Sequence, residues 1–129
     1  MDYLYYLGNA SLVLRVIQHL RQTPSLPVRF TTVIHQINGW VLRIKALPVW
    51  TQDQQCDFQA FLSELGIPYC VDTRLSHALK DLESGQSPVD VMGQYQVAVI
   101  AHGDPDLTEI EAFRHQFIQG LGYCPETLA

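Results

Sequence analysis

The chain is poor in cysteine: Cys56, Cys70 and Cys124 form an odd set with no C-x-x-C pair and no histidine at metal-ligand spacing. That pattern argues against a disulfide framework and a zinc knot and leaves reduced thiols as the expectation. Cys70 lies in an apolar stretch and Cys56 beside a helical stripe, so both read as packing residues, with Cys124 the exposed one. Long apolar runs are also missing. The stretch 97–101 is followed by a histidine and a glycine, far short of the ~20 residues a membrane helix needs. The start, with Asp2 and tyrosines at 3, 5 and 6, has neither the basic segment nor the apolar core of a secretory signal, so the expected location is cytoplasmic, with no membrane partner. No P-loop, G-x-G-x-x-G, G-x-S-x-G or H-E-x-x-H occurs, so nucleotide hydrolysis, dinucleotide redox chemistry, serine hydrolysis and zinc proteolysis lose their usual markers. Neither a metal nor a cofactor is expected, and the balance leans away from an enzyme.

What is present is a globular composition. With 129 residues, 47% apolar and 16% charged, the chain has the size and make-up of one domain, residues 1–129, able to bury a core without staples. Its net charge of −5 is uneven. Arg15, Arg21, Arg29, Arg43 and Lys45 face only Asp2 among residues 1–50, whereas residues 51–129 hold twelve acids against Arg74, Lys80 and Arg114. Such a split suits docking of an oppositely charged partner or a second copy if it persists in space, and vanishes if the elements interleave.

Periodicity gives the elements. Residues 2–7 read as a strand, and Val13, Val16, Ile17 and Leu20 set a helix after an Asn9 cap. Asn38-Gly39, between apolar runs at 28–37 and 40–47, predicts a two-residue type I′ hairpin in which Ile37 opposes Trp40 and His35 opposes Leu42. Thr51 and Gln54 have capping-box spacing before the stripe Phe58, Phe61, Leu62 and Leu65. A strand is expected at 69–72 and a helix carrying Leu75, Ala78, Leu79 and Leu82. After a break at Ser84–Pro88, a strand at 94–101 suited to the middle of a sheet leads into a helix opened by Asp106 and Glu109. The fold class is therefore α+β or α/β: one mixed β-sheet packed by about four helices, with a ferredoxin-like βαββαβ start followed by αβα.

Two groups of residues are candidates for function. His102-Gly103-Asp104-Pro105-Asp106 follows the carboxyl end of an apolar strand, where open sheets place ligands. Asp72 and His77 would join His102 and Asp104 if the two strands are parallel neighbours, giving one imidazole and several carboxylates for a cation or for acid–base work. The competing reading makes Asp72 and Asp106 helix caps and the rest a turn. His19 and His115 fall at polar helix positions, and His35 reads as a packed histidine. The second group is the hairpin: Phe30, Arg43 and Lys45 on one side, with Trp40 at its turn. Three charges on an acidic protein are thin support for nucleic-acid binding, because such binding scales with phosphates neutralised. The leading expectation is a small interaction or regulatory protein acting through a protein partner or as a homo-oligomer, with the hairpin and the aromatic first strand as docking surface. A small enzyme or metal-binding domain using the His102 loop is the alternative.

Overall fold

Side-chain spacing and caps place most elements. A computed structural model describes residues 2–129, so Met1, counted in the expected 1–129 domain, lies outside the described residues. The order is β1 (Asp2–Leu7), α1 (Ala10–Gln22), β2 (Val28–Gln36), β3 (Gly39–Ala46), α2 (Gln52–Leu65), β4 (Gly66–Pro68), α3 (Thr73–Glu83), α4 (Pro88–Tyr95), β5 (Ala98–Gly103), α5 (Thr108–Leu121) and a 3-10 turn at Glu126–Leu128. Asn9 accepts the Leu12 N–H at 3.0 Å and Asp72 that of Leu75 at 2.7 Å. Thr51 and Gln54 close a reciprocal capping box at 3.1 and 2.9 Å. Each cap satisfies a helix-end donor and is worth about 1 kcal/mol. The box expected at Asp106 and Glu109 does not form. Leu107 occupies the N-cap of α5, and Asp106 takes the Thr108 N–H at 2.8 Å.

The strands make one sheet in the order β4-β1-β3-β2-β5, and every neighbouring pair is antiparallel. The class is α+β, and the expected βαββαβ chain order is present. The sheet is not mixed as expected, because β3 inserts between the mutually parallel β1 and β2, and β1 between β3 and β4. The strand expected at 69–72 is instead a three-residue strand at Gly66–Pro68. β5 is an edge strand and not a central one. Its apolar character misleads because helices cover both faces of the sheet, so Val99 and Ala101 are buried on opposite sides even at the edge. Helix α4 was missed in the sequence. Ser84–Pro88 reads as a breaker, yet Ser87 caps the Asp90 N–H at 3.2 Å and Pro88 takes the first helical position, an N-terminal signature in its own right.

The hairpin forms with a shifted register. Gln36 opposes Gly39, His35 opposes Trp40 and Val33 opposes Leu42, so the turn is Ile37-Asn38 and Asn38 does not have positive φ. From Phe30 to Gln36 each β2 residue pairs two positions earlier on β3 than expected, which preserves the faces. Gly39 serves close approach: a Cβ there would lie 2.5 Å from the Tyr6 hydroxyl and 2.7 Å from the Leu7 carbonyl.

Each face of the sheet has its own core. Tyr3, Tyr5, Leu7, Trp40, Leu42 and Ile44 pack with Val13, Val16 and Ile17 of α1, Phe58 and Leu62 of α2, Ile110 of α5 and Leu128. On the other side Ile34, Val41 and Val99 meet Leu75, Ala78, Leu79 and Leu82 of α3 and Val91 of α4. The hairpin face expected to be a docking surface is thus roofed by α3 and α4. The first strand, expected to be a docking surface, is internal to the sheet, with Tyr3 and Tyr5 buried. All three cysteines are exposed, including the two expected to pack, because Cys70 falls in the loop after β4 and Cys56 on the outer face of α2.

Candidate functional site

The His102 constellation does not assemble. His102 pairs across the sheet with Thr32, and its Nδ1 shares a 2.7 Å hydrogen bond with the Thr32 hydroxyl. Burial lowers its pKa from the ordinary 6.5, and Arg43 lowers it further, against a hydrogen bond to the Leu82 backbone and the charge of Glu83, which raise it. Leu82 sits in the last turn of α3, whereas Asp72 caps the first. Ten residues of helix separate those points by about 15 Å. His77 is exposed midway along the same helix. Asp104 is exposed. Asp106 is spent on the Thr108 N–H, which lowers its pKa, and stands 4.0 Å from Arg21. β4 and β5 lie at opposite edges, which removes the parallel adjacency that convergence required. Among the described residues no three His, Cys, Asp or Glu side chains lie close enough to hold a metal ion.

The hairpin group is brought together, but mostly under cover. Trp40 is fully buried, and its indole N–H donates to the Thr127 carbonyl, tying the chain end to the core. Arg43 reaches Asp2 and Glu83, each at 3.0 Å, and lies 5.4 Å over the Phe30 ring. Lys45 contacts the same two acids at 3.6 Å. The Phe30 ring is in turn 5.1 Å from His102. Burial pushes the Asp2 carboxyl up, but hydrogen bonds and charge from Arg43, with help from Lys45, hold it below its usual 3.8. The Arg43 hydrogen bond does the same for Glu83, below 4.5. Arg43 and Lys45 are therefore neutralised by acids, one of them, Glu83, from the second half, and the uneven charge of the sequence is interleaved here.

His35 lies on the opposite face, its ring 4.8 Å from Trp40 and 5.3 Å from Phe113. Its Nε2 is buried with no hydrogen-bond partner among the described residues, and burial lowers its pKa. His19, expected to be solvated, stacks on Phe61 with ring centres 4.4 Å apart.

Two surfaces remain that sequence reasoning did not single out. β5 pairs only with β2, and among the described residues no backbone–backbone hydrogen bond leaves its outer side. Its segment Ala98–Gly103 holds no Lys, Arg, Asp, Glu or Pro. A misplaced strand order hid it. The second surface is an apolar rim at the hairpin end, where Ile37 is 92% exposed and Phe117 and Leu121, one turn apart on α5, are 39% and 43% exposed. Compared with protein-family models, curated proteins and solved structures, the chain matches none.

Proposed function

We propose that this chain is a non-catalytic interaction protein that joins a second copy of itself through the open edge of β5. The observation that carries the reading is the combination of an unpaired outer edge on β5 with an uncharged, proline-free sequence. Edge strands present a row of free N–H and C=O groups, and folded proteins usually blunt them with charge, proline, bulges or a covering element. Here the register shift against β2 at Ile100 is the one such device. A strand partner must be extended, short of charge and itself unpaired, and the same segment of another copy meets all three conditions. Antiparallel pairing of a segment with itself is twofold, so the contact is self-complementary and closes at a dimer. It also sets no like charges opposite each other.

Sedimentation equilibrium and light scattering test this. The expected outcome is a concentration-dependent dimer that Ala98→Lys, a charge placed on the edge, shifts toward monomer while the far-ultraviolet circular dichroism is unchanged. A strict monomer, or a dimer indifferent to Ala98→Lys, would remove the reading.

A further inference from the structure

A cleft of about 570 Å³ opens at the hairpin end of the sheet, between the β2–β3 turn, the first turn of α3 and the residues leading into β5. That volume is in the range of small-molecule sites. Ile37 and Val97 supply apolar surface; Gln36, Gln96 and Arg74 supply polar groups. Two features point to an anionic occupant, and a third marks the cleft as functional.

The first is charge. In a protein of net charge −5, the lining holds one guanidinium and no carboxylate. The second is the position of that guanidinium. Arg74 follows the first residue of α3, at the positive end of the helix, where a cation is unfavourable. Among the described residues no ion pair within 4.0 Å offsets it. Stability of the helix therefore gives no reason for an arginine here. The third is Gln96. With φ 56° and ψ 50° it is the one non-glycine among the described residues in the left-handed region. Its backbone ends α4 through an N–H to the Met92 carbonyl at 2.9 Å. Glycine, or less often asparagine, is the usual residue for that conformation. The cap explains the backbone but not the choice of glutamine, a residue that lines the cleft. Strain held in place at a cleft is a pointer to function.

We infer that this cleft binds a small organic anion whose carboxylate or phosphoryl oxygens engage Arg74 while its apolar body rests on Ile37 and Val97. Arginine pairs both oxyanion types through parallel N–H···O bonds, and the amides of Gln36 and Gln96 offer donors and acceptors to the rest of the molecule. The inference rests on other observations than self-association through β5, although Ala98, the first residue of that strand, also lines the cleft.

The test is a titration of the full chain, followed by amide NMR, with benzoate, phenyl phosphate and neutral benzamide. The Gln96 and Val97 amides are expected to shift saturably with at least one anion and not with benzamide, and the anion that binds more tightly separates the carboxylate source from the phosphoryl one. Arg74→Gln, at an exposed position, should weaken that binding about tenfold or more, since a hydrogen bond to a charged group is lost, and Arg74→Lys should retain part of it. Gln96→Gly should weaken binding without lowering the melting temperature, because glycine accepts the same backbone conformation. Benzamide binding as tightly as the anions, no saturable shift with either anion at millimolar concentration, or an Arg74→Gln variant of unchanged affinity would each overturn the inference.

Discussion

The two faces of the sheet are closed in different ways. The face under α1, α2 and α5 is aromatic and continuous: Tyr3, Trp50 and Phe58 meet one another with ring centres 5.1 to 5.8 Å apart, and Trp40 reaches Phe113 at 5.8 Å. The face under α3 and α4 is aliphatic at its centre and ends in the charged group Asp2, Arg43, Lys45 and Glu83. Each face of the sheet also carries one partly buried strand histidine, and the two differ in the same sense. His102 is hydrogen-bonded to Thr32 and Leu82, whereas the Nε2 of His35 has no partner. On the aromatic face an unsatisfied nitrogen sits among rings; on the aliphatic face polar pairing closes the layer.

The largest break of that contrast is Trp40→Ala. It should cost about 3–5 kcal/mol, the range for truncating a buried aromatic, and it also releases the Thr127 carbonyl to which the indole donates. Urea unfolding measures it, and a loss below about 1 kcal/mol would mean that this face is not the main source of stability. Next is His102→Phe, expected to cost about 1–2 kcal/mol because the Thr32 hydroxyl, buried at 1% residue exposure, loses its partner. A neutral result would make the polar closure of that face ornamental.

His35→Phe should act in the opposite direction, leaving stability unchanged or raising it by up to about 1 kcal/mol, since it removes an unpaired buried nitrogen from among aromatic rings. Both histidines have folded pKa values below the ordinary 6.5. Below that value the unfolded chain binds more protons than the folded one, so the stability they contribute is present above it and falls as the pH drops through the folded value. Either substitution should flatten the stability profile just under pH 6.5, but only His102→Phe should lower its neutral-pH level. The smallest effect is expected from Arg43→Met, within about 1 kcal/mol at neutral pH because its acidic partners are well exposed. The Asp2 and Glu83 pKa values lie below their ordinary 3.8 and 4.5. Their contribution is present above those ordinary values and lost as the pH falls through the folded ones. In Arg43→Met that acid limb should shrink, and an unchanged limb would show that the ion network does not couple to folding.

Local signals were the legible part of the sequence. Asn9, Thr51 with Gln54, and Asp72 cap their helices as their spacing indicates, because a cap needs only residues within one turn. Long-range demands were not legible. Gly39 is needed where Tyr6 and Leu7 cross it, a contact with β1 that imitates a turn signal. Arg43 and Lys45 looked exposed because no local signal shows that the end of α3 folds back over them, bringing Glu83 to both. The strand carrying His102 looked central because helices bury both sides of its edge position, and with it went the expected meeting of His102, Asp72 and Asp104. Of the cleft, Gln96 and Arg74 gave no signal, since one depends on a backbone angle and the other on the absence of a carboxylate in space.

Hydrogen exchange of the β5 amides at rising protein concentration tests self-association most directly. If a second copy adds to the sheet, the outward-facing N–H groups of Ala98–Gly103 gain protection as concentration increases, while those of β3, already paired on both sides, do not change. Exchange in β5 that stays fast and independent of concentration would contradict it.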